Sequence, residues 1–393
     1  LSIYTKHTLL ILIASLSFVN THAEETQWGR FDTHIELFHY DINGQGDQDS
    51  RATVLGGYLH YTSRPINHFG FSIKHYLSHL IFESQNPALT SLTDSAGEDI
   101  NPLSELYAYY KNENFSLNIG KQQISTPLLN DDTTRLIPFS YRGVTSRISW
   151  DTDAFLALGY VTGFRTNNSE EYTPYTSSGL AESGVAYLGF HTQFGSVKHQ
   201  WYYYHAPGLY NTLHMEVSAN TPYGSFKALQ YGVQAIYTFD NAGGSHTITG
   251  NNGGGDVRLI AAKAGIVSQK FSYIASLSYN FGEDGINRGY GGLSSLYTNS
   301  MITNGKKGGH PFAKSLKVNY RYYSPTKDKE YSSALYLTNV TYGDDSSDTV
   351  NALYIDHKFK FRPREYILLR YERQWIAHEE GKSYFRIISA YTF

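Results

Sequence analysis

The sequence predicts an all-β fold, a transmembrane antiparallel β-barrel of about eighteen strands with one constriction loop folded into its bore. Three features carry this. The last run, Tyr384-Phe-Arg-Ile-Ile-Ser-Ala-Tyr-Thr-Phe393, places Phe385, Ile387, Tyr391 and Phe393 on one face of a strand and Tyr384, Arg386, Ile388 and Thr392 on the other, as a wall between lipid and water requires. Strand-like runs along the chain are bounded alternately by tight turns and by longer polar segments. No segment after the first two dozen residues reaches the length of a membrane helix, so a closed barrel is the remaining way to satisfy every backbone N–H and C=O inside a bilayer.

Residues 1–23 read as a secretory leader. Lys6 and His7 precede an apolar stretch from Thr8 to Val19, and Thr21-His22-Ala23 supplies the cleavage region ahead of Glu24-Glu25. The stretch is too short to act as an anchor across a hydrocarbon core. Residues 24–393 then form one barrel domain, because no linker, charge block or composition shift interrupts them.

Composition agrees. A mean hydropathy of −0.40 suits a barrel with a wet interior, which needs only alternate residues apolar, and 35 Tyr with 21 Phe can supply the two interfacial girdles. The absence of Cys excludes disulfides and thiolate metal sites. A net charge of −3, or −4 once Lys6 leaves with the leader, argues against a nucleic-acid partner.

The strands are read at approximately 28–40, 51–62, 68–80, 103–111, 115–122, 144–150, 154–163, 183–194, 197–205, 212–219, 224–238, 257–268, 271–281, 314–324, 331–342, 349–361, 365–375 and 383–393. Every second connection is short and rich in turn formers, among them Asn112-Glu-Asn114, Gly195-Ser196, Asn220-Thr-Pro-Tyr223 and Arg362-Pro-Arg364. The others are mostly longer, with 123–143 the segment expected to fold inward. Short turns and both termini on one rim, and long loops on the other, is the bacterial outer-membrane arrangement.

Strand number sets the bore. Barrels of about 16–18 strands leave an aqueous channel. Assigning the more apolar parity of each strand to lipid turns Arg147, Lys198, Lys263, Lys317, Arg321, Lys358, Arg370 and Arg386 inward, with Asp32, Glu36, Glu105, Glu216, Asp356 and Glu372. A lipid-facing Arg or Lys at midplane would cost ~2–4 kcal/mol. Parity in 68–80 is ambiguous, because His75 and His79 share that of Phe71 and Ile73.

Glu105-Leu-Tyr-Ala-Tyr-Tyr110, Leu117-Asn-Ile-Gly-Lys-Gln122 and then Thr126-Pro-Leu128, Asp131-Asp132, Arg135 and Pro138 resemble the OprD-type family of outer-membrane porins, as does the run Arg51 to Tyr61. The resemblance covers about residues 51–145. It implies an eighteen-stranded monomeric barrel and an inward loop whose acidic residues oppose a row of basic ones, guiding small anionic or zwitterionic solutes. On that basis Glu105, Asp131, Asp132 and Arg135 are candidate constriction residues. Local ion pairs and capping that simply close the loop account for Asp131, Asp132 and Arg135 as well. Likewise each lumen cation can pair with a neighbouring carboxylate instead of a solute. Phe393 resembles the terminal assembly signal of such barrels.

The expected protein is a size- and charge-selective porin of a Gram-negative outer membrane, monomeric or weakly oligomeric. Its partners are lipid, lipopolysaccharide, the barrel-assembly machinery and small polar solutes. No cofactor, metal or catalytic residue is expected: Asp344-Asp-Ser-Ser-Asp348 reads as a solvated loop tip ahead of a calcium site, Gly250-Asn-Asn-Gly-Gly-Gly255 lacks the Lys-Ser/Thr of a phosphate loop, and His378-Glu-Glu is no His-Glu-x-x-His. An adhesin-like barrel and a barrel hydrolase are the alternatives, separable from a porin by ion conductance.

Overall fold

A computed structural model describes residues 25–44, 49–82, 85–175, 183–207, 210–240, 256–286, 296–299, 312–325, 330–342, 348–362, 364–377, 379 and 381–393. The leader, the Gly250–Gly255 run, His378 and all of the Asp344–Asp348 run but its last residue lie outside them. Eighteen long strands lie among the described residues: β1 Gly29–Asn43, β2 Ser50–Ser63, β3 Phe69–Leu80, β4 Leu103–Lys111, β5 Phe115–Gln122, β6 Ser140–Asp151, β7 Ala154–Arg165, β8 Val185–Phe194, β9 Val197–Ala206, β10 Tyr210–Tyr223, β11 Phe226–Asp240, β12 Val257–Val267, β13 Phe271–Asn280, β14 Lys314–Pro325, β15 Glu330–Tyr342, β16 Asp348–Arg362, β17 Glu365–Ile376 and β18 Ser383–Thr392. Two-residue pieces, Glu25–Thr26 and Thr173–Pro174, pair with β1 and β7.

Each strand runs antiparallel to the next, and β18 returns to pair with β1 from His34 opposite Thr392 to Asn43 opposite Ser383. The sheet is therefore closed and has no edge among its long strands, which is what a bilayer demands of β-structure. Phe393 extends this seam, its N–H donating to Thr33 O at 2.8 Å, and its ring stands edge-on to Tyr391.

Burial is inverted relative to a protein that keeps its apolar side chains inside. On β14, Leu316 and Val318 are 50% and 43% exposed, whereas Ser315, Lys317 and Asn319 are 4%, 9% and 9% exposed. The same alternation leaves Leu106, Ile119, Leu158, Leu188, Val233, Ile260, Leu277 and Leu337 exposed on other strands. Such a continuous apolar exterior is stable only against hydrocarbon. Trp150, Phe194, Tyr223 and Phe361 lie beside the short turns, and Tyr237, Phe239, Tyr279 and Trp375 beside the long loops, giving aromatic belts at both rims.

The strand order, number and rim alternation agree with the sequence reading, and two boundaries are corrected. Residues 220–223 are not a turn but the end of β10. The ladder skips between Thr221 and Tyr223, so Pro222, which has no N–H to give, sits at a bulge. The turn is Gly224-Ser225, where Gly224 supplies the positive φ of +51°. The inward loop is also shorter than read, 123–139, because β6 begins at Ser140.

Candidate functional site

The loop 123–139 crosses the bore because apolar residues at its two ends pack on different parts of the wall. Ile124, Leu128 and Leu129 join Tyr141, Val161, Val185, Tyr187, Tyr202 and Tyr204 of β6–β9. Leu136 and Ile137 join Phe38, Tyr40, Val54, Leu368, Tyr384 and Ile388 of β1, β2, β17 and β18. Hydrogen bonds fix the first contact: Leu128 N donates to Tyr204 OH at 3.2 Å, that hydroxyl donates to Thr126 Oγ1 at 2.9 Å, and Tyr141 OH donates to Asn130 O at 2.8 Å.

Arg165 locks the far end. It is fully buried and donates to Pro138 O at 2.6 Å, Ser104 Oγ at 3.0 Å, Ser140 Oγ at 3.1 Å, Thr166 O at 2.7 Å and Ser169 O at 3.0 Å. A buried guanidinium saturated by carbonyls and hydroxyls is a staple between the loop, β4 and the segment after β7. The sequence reading missed it.

Arg135 does not pair with Asp131 or Asp132, so the local ion pairs considered from sequence do not form. Its Nε donates instead to Thr90 O at 2.7 Å, tying the loop to the 3-10 turn Pro87–Thr90. Burial, with Arg386 nearby, lowers the Arg135 guanidinium to about 10. Asp132 serves the loop itself: at φ +38° its Oδ1 accepts from Thr134 Oγ1 at 2.7 Å and Thr134 N at 3.3 Å. Asp131 is half-buried, and burial raises its carboxyl above the usual range.

Glu105 lies inward on β4 and forms an ion pair with Lys74 of β3 at 2.6 Å. Lys74 also donates to Gln123 Oε1 at 3.2 Å, joining the wall to the start of the loop. Lys74 was absent from the cations read from sequence, because the parity of β3 was ambiguous. His75 and His79 do share the parity of the exposed Phe71 and Ile73, but they meet Asn101 and Asp99 of the segment entering β4.

Six of the predicted cations gather on one stretch of wall, β12–β18. Arg386 stands opposite Arg370, Arg370 opposite Asp356, and further round Arg321 opposite Ala334. Lys317 and Lys263 both face Ser276. Arg370 Nε is 3.0 Å from Asp356 Oδ2, Arg321 donates to Tyr336 OH at 2.7 Å, and Lys358 lies 4.5 Å from the Tyr366 ring centroid. Lys263 is 3.8 Å from Glu216 and stacks on Tyr297, while Lys317 donates to Asn299 O at 2.8 Å. Arg147 on β6 and Lys198 on β9 stand apart from this group. Of the remaining inward acids, Glu36 meets His34 at 3.1 Å, Asp32 lies 3.8 Å from His60, and Glu372 accepts from Gln374 at 2.7 Å. Among the described residues no three His, Asp or Glu converge as a metal site.

A closed barrel with a lipid-facing exterior and a charged interior crossed by one of its own loops is a transmembrane β-barrel with a restricted bore. Solved structures share this fold. OccK9 (OpdG) of Pseudomonas aeruginosa superimposes with a TM-score of 0.79 at 14% identity, covering 95% of this chain and 100% of that one. OccAB4 of Acinetobacter baumannii gives 0.77 at 14%, with the same coverage, and OccK8 (OprE) of P. aeruginosa gives 0.76 at 15%, covering 93% and 98%. All three are channels of the OprD/Occ group, so the fold implied by the motifs around residues 51–145 is the fold of this chain. No protein-family model matches the sequence, and no curated protein matches it.

Proposed function

We propose that the protein is a diffusion channel of a Gram-negative outer membrane, passing small hydrophilic solutes selected by size and charge, with a preference for anionic groups. One observation carries the reading. The loop 123–139 spans from β6–β9 to β1, β2, β17 and β18 across a bore whose β12–β18 wall concentrates Lys263, Lys317, Arg321, Lys358, Arg370 and Arg386. Charge on a low-dielectric tube focuses its field into the lumen, so a basic wall can attract anions although the whole chain carries −3. Asp131 and Glu105 supply the opposing acidic side, the latter largely neutralised by Lys74. Residues 1–23 act as the export leader and Phe393 as the assembly signal. The likeness in fold to the OprD/Occ channels supports the same reading.

The test is a reversal potential across a planar bilayer with a salt gradient. The parent protein is expected to favour the anion, and Arg321→Gln with Arg370→Gln to move it toward the cation. An unmoved potential at low salt would overturn the basic wall as the selectivity element.

A further inference from the structure

The lipid-facing side of the barrel carries a pair of cations in register. Lys121 on β5 stands directly opposite Arg142 on β6, and both share the parity of the outward apolar residues. Ile119 and Val144, two residues nearer the short turns, are opposite each other and exposed, as are Leu106 beside Lys121 and Tyr160 beside Val144. Arg142 is itself exposed. From Trp150, in the belt beside the short turns, β6 runs back eight residues to Arg142, which at ~3.3 Å each and a tilt of about 40° spans roughly 20 Å along the membrane normal. The pair therefore lies where the apolar band, about 25 Å tall in such barrels, gives way to headgroups at the long-loop rim.

Like charges opposite each other on adjacent strands repel, and among the described residues neither cation forms an ion pair. Lys121 Nζ lies 4.9 Å from the Tyr172 ring centroid, and Tyr172 is fixed by its OH, which donates to Ser104 O at 2.6 Å. Arg142 Nε donates to Thr162 Oγ1 at 3.3 Å, which leaves the Nη1/Nη2 fork. Glu170, near Tyr172 in the same segment, accepts from Asn101 N at 2.7 Å instead. Exposed cations elsewhere on this rim are neutralised by the chain itself: Arg51 by Asp41 at 2.6 Å and Arg258 by Asp256 at 2.8 Å.

We infer that Lys121 and Arg142 form a site for the phosphate monoester of a lipid headgroup in the outer leaflet, whose acyl chains lie on the wall made by Leu106, Ile119, Val144 and Tyr160. The inference rests on the barrel sitting in an outer membrane with its long-loop rim outermost, and not on what the bore passes. A phosphate monoester carries about −1.5 to −2 at neutral pH, so one such group offsets both cations. It meets the guanidinium fork through two oxygens and the ammonium through the third. Apolar surface directly below the charges selects an amphiphile over a free anion. Lys121 is next to the last residue of β5 and Arg142 is near the start of β6, so a lipid held here ties together the two strands from which the loop 123–139 springs.

The test is a titration of the full-length protein in detergent micelles with bis-phosphorylated lipid A and with the same lipid stripped of its phosphates, the dissociation constants being read by native mass spectrometry. The parent is expected to bind the phosphorylated lipid about tenfold more tightly, the scale of a charge-assisted hydrogen bond. Lys121→Gln with Arg142→Gln should erase that difference, and Arg51→Gln should keep it. If the double variant does not fold, Arg142→Gln alone, at an exposed position, is expected to remove most of the difference. Inorganic phosphate in large molar excess should leave the lipid bound. Equal affinity of the parent for both lipids, a difference that survives in the variants, or an equal loss in Arg51→Gln would each overturn the site, and displacement by inorganic phosphate would make it a free-anion site instead. Unitary conductance in phosphatidylcholine bilayers tests the channel reading separately, so failure of one leaves the other standing.

Discussion

Arg370 and Arg386 stand directly opposite each other on β17 and β18, both facing the lumen. Like charges so placed repel, and each is offset by a different partner. Arg370 holds Asp356, whose Oδ2 also accepts from Tyr354 OH at 2.8 Å. Arg386 is fully buried, donates to Tyr40 OH and Thr134 O at 3.1 Å each, and lies 4.3 Å from the Tyr40 ring centroid. Arg135 reaches the same ring at 5.0 Å. Arg135 and Arg386 thus converge on one aromatic ring, beside an Arg370 that Asp356 holds.

Asp356 is therefore a brake on the charge of Arg370. Asp356→Asn should move the reversal potential further toward the anion and cost about 2 kcal/mol of stability from the lost charge-assisted bonds. Arg370→Gln should move the potential the other way. Both shifts should shrink at high ionic strength, where screening shortens the field to roughly 3 Å at 1 M. Opposite signs at low salt, read in one gradient, check the assignment.

The Lys74–Glu105 pair makes a stability prediction. Both side chains are largely shielded, so removing Lys74 alone leaves a carboxylate with little water. Lys74→Met should cost about 3 kcal/mol, and Lys74→Met with Glu105→Leu considerably less, because the desolvation penalty leaves with the charges. Urea unfolding in lipid vesicles would measure both. Equal costs would mean that the pair is solvated.

Deletion of 127–136 should raise the unitary conductance, since it removes the segment that joins the two contact regions across the lumen. Folding is checked by heat-modifiable migration. A folded deletion variant with the parent conductance would remove this loop from the restriction.

Asp131 gives the bore a pH dependence. Burial raises its carboxyl above the ordinary range, so the folded chain holds this proton at a pH where the unfolded chain has lost it. As pH rises through that window the group ionises at a cost to stability, and the restriction gains a negative charge. Anion preference should therefore be stronger below that window than above it, and the part due to this group should vanish in Asp131→Asn. An identical pH profile in that variant would place the titration elsewhere.

How far the sequence could be read follows from the range of each interaction. The strands were legible because period-2 alternation is local: β4 and β5 fall at the expected residues 103–111 and 115–122, and Lys317 and Arg386 alternate with lipid-exposed or less buried neighbours on their strands. Lys74 was hidden because the histidines that blur the parity of β3 bind Asp99 and Asn101, which a strand pattern cannot reveal. Arg165 was hidden because its partners at 104, 138 and 140 come together only after closure. Arg135 was visible as a loop cation, but its turn toward Thr90 depends on a second loop.

Unitary conductance of the purified protein in a planar bilayer tests the central claim most directly. Long-lived open steps, with a low-salt reversal potential on the anion side, are the expected result. A folded, inserted barrel that passes no current would contradict it.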